Sequence, residues 1–152
     1  MKIFVTLFVL MAVALSSAHF QCGTNTCNPN YSCIFDGHNH GCLYGCGDMV
    51  MIHQQIVNQW NVDSQHFVQV QVSVVNHSAY NVNNVIIGAA DGTLNLRDNT
   101  SGSIWNIQCL PSGDFTLPSA TPTINAGQTF NFGYINRGYN VANLYVKNIH
   151  IL

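Results

Sequence analysis

The chain has 152 residues, 7% of them charged, and a formal net charge of −2, where ordinary globular domains carry roughly 25% charged residues. Its strong cations are Lys2, Arg97, Arg137 and Lys147, too few to neutralise a row of phosphates, so nucleic acid is excluded as a partner. Glutamate is absent, which leaves carboxylate chemistry to Asp36, Asp48, Asp63, Asp91, Asp98 and Asp114, and most of the polarity comes from neutral amides and hydroxyls.

At the amino terminus, Met1-Lys2, the apolar run Ile3 to Leu15 and the small residues Ser16-Ser17-Ala18 have the three regions of a secretory signal, with cleavage expected after Ala18. The run is short for a membrane anchor and no comparable apolar stretch follows, so a secreted, extracellular protein without a membrane span is expected.

Residues 19–47 form a cysteine-rich module. Cys22, Cys27, Cys33, Cys42 and Cys46 crowd into it, and Cys109 stands alone. An even number of cysteines in an exported chain reads as disulfides, and so short a segment needs cross-links to fold. The interleaved arrangement of small loop-rich modules pairs Cys22 with Cys33 and Cys27 with Cys42. That leaves Cys46 for Cys109, a bridge that would bolt the module to the domain behind it, although the sequence admits other connectivities. A zinc site built from these thiols with His38 and His40 is the competing reading; secretion favours oxidised cysteine and the spacings are not those of a zinc ribbon or finger, so neither metal nor cofactor is expected.

From about Gly47 onward the pattern has period two. In His66 to Val75, Val68, Val70, Val72 and Val74 fall on one face, and Phe67, Gln69, Gln71 and Ser73 on the other. This is a half-buried strand whose second face is polar and aromatic, with Phe67 expected to be exposed. Further strands are expected at Ile52 to Trp60, Asn84 to Ala90, Ser103 to Leu110, Gln128 to Ile135 and Leu144 to Ile151, with a turn over Asn61 to Gln65. Many short strands without helical periodicity predict an all-β fold, an antiparallel β-sandwich over residues 51–152 preceded by the disulfide-rich module. Phe130, Phe132 and Tyr134 alternate along one late strand and are read as core. His53, His66, His77 and His150 have no convergent metal spacing and are read as surface or strand positions. The acceptor motif for N-linked glycans occurs at Asn30, Asn76 and Asn99, and any that is used must lie at the surface.

The order and spacing of Trp60, Phe67, Ile104-Trp105-Asn106, Leu117-Pro118-Ser119, Ala126-Gly127-Gln128 and Phe132-Gly133-Tyr134-Ile135 resemble carbohydrate-binding module family 49. That family occurs as the C-terminal module of certain plant endoglucanases and in secreted cellulose-binding proteins of social amoebae. The resemblance covers nearly everything after Met51 and implies a β-sandwich that binds crystalline cellulose without catalysis, with Trp60, Phe67 and Trp105 as the ligand-facing aromatics. Two positions depart from the pattern. Phe67 stands where a tyrosine is common, and Ala120 stands where the plant modules tend to have a tryptophan, which implies a shorter platform.

The residues support this chemistry independently. A sugar ring in a β-linked glucan presents C–H groups on its flat faces and hydroxyls around its rim, so it stacks on an aromatic plane while amides meet its edge. Gln69 and Gln71, on the same face as Phe67, are the candidate hydroxyl partners. One ring contact that removes about 60 Å² of apolar surface from water yields roughly 1.5 kcal/mol at about 25 cal/mol per Å². A few such contacts, less the cost of association, give an affinity on the order of micromolar to millimolar, which suffices on a solid with repeating sites.

For each tryptophan the competing role is a plug between sheets. A glycosidase would need two acids held across a cleft, for which Asp63 with Asp114 is the least poor pair, and so an enzyme is not expected. The function read from the sequence is a secreted, non-catalytic protein that adsorbs to cellulose or a related β-glucan in an extracellular matrix or cell wall. The alternative is a structural coat protein or inhibitor acting on extracellular matrix proteins through its cysteine-rich module.

Overall fold

A computed structural model describes residues 19–152; the expected signal segment, 1–18, lies outside the described residues. The longest element is a hairpin in which β5 (Val50–Val62) runs antiparallel to β6 (Gln65–Asn76). Both strands extend beyond their expected limits, so the turn narrows to Asp63-Ser64, where Asp63 adopts a left-handed φ of 53°. Aspartate tolerates that conformation better than most residues, which suits it to a tight hairpin loop. On the other side of β6 lies β12 (Thr129–Arg137), followed by the short β8 (Ile104–Trp105), giving a four-stranded sheet in the order β5-β6-β12-β8.

The second sheet contains β3 (Tyr31–Phe35), β4 (His40–Tyr44), β7 (Val82–Ala89), β9 (Gln108–Cys109), β10 (Phe115–Thr116) and β13 (Leu144–Ile151), in the order β4-β3-β13-β7-β10-β9. The two-residue β11 (Thr123–Ile124) also pairs with β7. The valines expected to face inward do so: Val68, Val70, Val72 and Val74 are fully buried between the sheets with Ile87, Ile149, Phe132 and Tyr134. Phe130 packs at the margin of this core. The Tyr134 hydroxyl donates to Gln54 Oε1 at 2.7 Å and accepts from the Ala142 N–H at 2.8 Å, while Gln54 Nε2 donates to the Ala142 carbonyl at 2.8 Å. Burial pushes the Tyr134 pKa up to about 12, because the phenolate would lose its water.

The segment expected as one strand over Ser103 to Leu110 is two. Asn106 has a left-handed φ of 60°, and the chain passes there from β8 in one sheet to β9 in the other. The cysteine-rich segment also joins the sandwich. β3 pairs in parallel with β13, Ile34 enters the main core, and the Ser32 hydroxyl donates to the Val146 carbonyl. A hairpin of β1 (Phe20–Cys22) and β2 (Asn25–Cys27) is held to β3 and β4 by disulfides Cys22–Cys33 and Cys27–Cys42, the expected pairs.

The third expected bridge is not formed. Cys46 is a buried thiol in the main core, and Cys109 is an exposed thiol on β9. Cys46 follows β4 at one edge of the second sheet, whereas Cys109 lies on the strand at the opposite edge, with β3, β13, β7 and β10 between. At about 4.8 Å per strand the separation far exceeds the roughly 7 Å Cα–Cα limit for a disulfide. Burial pushes the Cys46 thiol pKa up, which keeps it protonated and unreactive.

One glycan expectation also fails. Asn76 is fully buried, and its Nδ2 donates to the carbonyls of Tyr80 and Ile124 at 2.7 and 3.0 Å, so the atom that would carry a sugar is consumed by the core. Asn30 and Asn99 are exposed.

Candidate functional site

Cross-strand register decides which side chains share a face. Trp60 pairs with Phe67, Gln71 pairs with Gly133, and Gly133 pairs with Trp105. Because Val68, Val70 and Val72 point inward, Phe67, Gln69 and Gln71 point outward together with Trp60 and Trp105. All five residues singled out from the sequence therefore lie on the outer face of the four-stranded sheet.

Their exposures differ from expectation at one position. Phe67 is only 8% exposed, because Trp60 covers it from β5, with ring centroids 5.9 Å apart and planes inclined by 23°, and Arg137 flanks it from β12. Strand parity places Phe67 on the outer face as expected, but two large neighbours on that face bury it. Its role is to support Trp60 from beneath rather than to meet solvent. Trp60 and Trp105 are each partly exposed.

The seat of Trp105 is Gly133. A Cβ on that glycine would lie 2.3 Å from Trp105 Cζ2, so the indole crosses the sheet where no side chain stands in its way. Glycine inside a strand signals close approach of another group, and this residue was not singled out as part of the site. Nor was the loop that delivers Trp105. There the Asp98 carboxylate accepts from Ser103 Oγ at 2.7 Å, from the Thr100 N–H at 2.9 Å and from the Thr100 hydroxyl, and these bonds hold its pKa well below the usual carboxylate range. Ser103 is fully buried, and its carbonyl accepts from the Ile135 N–H at 2.8 Å, anchoring the start of β8 to β12.

Polar groups fill the space between the aromatics. Gln55, Gln71 and Gly133 form one cross-strand row, and Asn58, Gln69 and Ile135 form the next. Among the described residues no hydrogen bond engages the side-chain amides of Gln55, Gln69 or Gln71. Ser73 Oγ donates to Asn131 Oδ1 at 2.7 Å on the same face. Within the four strands Arg137 alone carries a charge, and it donates to the Arg97 carbonyl at 2.7 Å. From strand spacing, Trp60 and Trp105 are about 20 Å apart along the diagonal of the sheet, which is several sugar rings in length.

The residues weighed for zinc binding and for glycoside hydrolysis are placed elsewhere. Among the described residues the only cluster with metal-ligating geometry is Cys22, Cys27 and Cys42, and those sulfurs are in disulfides. His38 and His40 do not complete it. Asp63 lies in the β5–β6 turn, while Asp114 precedes β10 of the second sheet and is ion-paired with Lys147 at 2.8 Å. His53 and His77 approach edge to face at 6.5 Å, His66 stacks on Tyr139, and His150 packs against Phe35.

A β-sandwich that presents tryptophans and uncommitted amides on one sheet face with a single charged residue is built as a carbohydrate-binding module. Comparison with known proteins agrees. The chain belongs to the family of the carbohydrate binding domain CBM49, whose model matches residues 50–138. It is 36% identical to Stalk-specific protein A and to Stalk-specific protein B of Dictyostelium discoideum, over 97% of this chain and 98% of each relative. Spore germination protein 270-11 of the same organism is 24% identical over 66% of this chain, a match that spans 17% of that relative. No solved structure matches the chain.

Proposed function

We propose that this protein is a secreted, non-catalytic module that adsorbs to cellulose or a related β-glucan through the outer face of its four-stranded sheet. The observation that carries the reading is the placement of Trp60 and Trp105 on one solvent-facing surface with Gln69 and Gln71 between them. A flat ligand with apolar ring faces and a hydroxyl rim matches a flat face of indoles and amides. The end-to-end likeness to two stalk-specific proteins favours a structural setting, an extracellular matrix or wall. Among the described residues no acid pair spans the face, which supports binding without hydrolysis.

Contact with extracellular matrix proteins through the cysteine-rich segment is a second reading. Leu43 and Tyr44, exposed by 46% and 72% on the edge strand β4, favour it.

Adsorption of the full chain to microcrystalline cellulose, an amorphous β-glucan and chitin tests the first reading. It expects retention on cellulose without release of reducing sugar. Failure to adsorb to any of the three would refute it.

A further inference from the structure

Sheets that end in solvent leave a row of main-chain donors and acceptors unpaired, and soluble proteins blunt such edges with charge, proline or brevity. The strands that end the two large sheets differ sharply in this respect. β4 has five residues, and β8, β9 and β11 have two each. β5 has 13 residues and terminates the four-stranded sheet. Its sequence, Val50 to Val62, contains neither a charged residue nor a proline.

Among the described residues the main chain of Val50–Val62 makes two contacts outside the ladder with β6: at one end of the strand the Val50 N–H meets the Cys46 thiol, and further along the Gln59 N–H donates to Asn58 Oδ1 at 2.9 Å. That bond sits at the bulge where Val57 interrupts the register. A bulge bends an edge and is the one blunting device present. It leaves the straight runs on either side open; Ile56 and Val62 on those runs and Val57 at the bulge are exposed by 39%, 53% and 51%, among the exposed neutral side chains of Met51, Gln55, Asn58 and Gln59.

We infer that the free edge of β5 pairs antiparallel with the same edge of a second copy, joining two four-stranded sheets into one of eight. Self-pairing places the strand antiparallel to its own sequence, where a charge near the two-fold axis would meet its twin, and this strand has none. Antiparallel pairing of 13 residues supplies roughly ten main-chain hydrogen bonds, the number typical of a stable protein interface. The two-fold axis of such a pair stands perpendicular to the sheet, so both outer faces point the same way. If those faces bind glucan as proposed above, the pair presents two Trp60 and two Trp105 side chains to one surface, and weak single-face contacts combine through avidity.

Sedimentation equilibrium of the full chain carrying Cys109→Ser, which removes the exposed thiol as a source of covalent dimers, tests the pairing. The expected result is a dimer that Val57→Lys weakens at least tenfold. Gln55→Lys, on the same exposed edge, is expected to do the same and serves if Val57→Lys fails to fold. A protein that is monomeric across the concentration range would overturn the inference, including one that pairs only with a strand from another protein. So would a dimer indifferent to both lysines, or one seen only when Cys109 is present. Adsorption to cellulose, amorphous β-glucan and chitin is measured in parallel: a dimer that adsorbs to none of them refutes the binding reading and leaves the pairing intact, whereas an adsorbing monomer does the reverse.

Discussion

The two sheets have similar inner faces and different outer ones. Beyond the second sheet the chain supplies its own cover: the β1–β2 hairpin lies over Tyr31, Cys33 and Cys42, fixed by two disulfides, with Phe20 under the Lys147 ammonium at 5.3 Å. Beyond the four-stranded sheet nothing among the described residues covers Trp60, Trp105 and the amides between them. Burying aromatic surface is favourable; on the bare side Phe67 achieves it beneath Trp60, while both indoles stay partly exposed. The bare face is the one proposed above to meet a ligand, whereas the covered face adds two disulfides.

The largest expected effect tests the covered side. Replacing Cys27 and Cys42 with serine opens a loop with a sequence separation of 15, for which chain entropy gives a loss of about 3 kcal/mol. Chemical denaturation should show that loss, while the protein that remains folded adsorbs to cellulose as the wild type does. A parallel loss of adsorption would mean that the two faces are not independent.

Gly133→Ala sharpens the account of the bare face. The new methyl meets the indole of Trp105, so the ring must leave its seat. Adsorption should fall about tenfold, the equivalent of losing one ring contact of roughly 1.4 kcal/mol, and depletion isotherms would read it. Unchanged binding would show that the seated position of Trp105 is irrelevant.

A smaller effect concerns the core that both sheets share. Because the folded pKa of Tyr134 is raised above its unfolded value, its contribution to stability is complete below about pH 10 and declines as the pH rises toward 12. Denaturation midpoints of wild type and Tyr134→Phe should differ by a constant amount up to pH 10 and converge above it. The smallest expected change is in salt: neutral stacking and amide contacts predict nearly constant adsorption from low to high ionic strength, whereas a steep loss would point to an ionic ligand.

Much of the sandwich is legible in the sequence because period-two burial is a local signal. The valines of β6 and the aromatic alternation of β12 needed only their own strands to be read. Phe67 shows where that signal stops: its face follows from parity, but its burial depends on Trp60 and Arg137, which come from two other strands. The break at Asn106 and the separation of Cys46 from Cys109 depend likewise on which sheet each piece joins, and spacing along the chain does not encode that. Gly133 did leave a trace, a glycine between Phe132 and Tyr134 in an otherwise strong strand. Its meaning required knowing that Trp105 would pair with it.

The central claim is that Trp60 and Trp105 together form the binding platform. The direct measurement is an adsorption isotherm on microcrystalline cellulose for the wild type, Trp60→Ala, Trp105→Ala and the double variant, each first shown to be folded by its thermal transition. Each single substitution should weaken adsorption about tenfold, and the double variant should fall to the level of a protein that does not bind, as expected for losing roughly 1.5 kcal/mol per ring. A folded double variant that adsorbs like the wild type would contradict the account and move the site away from this sheet.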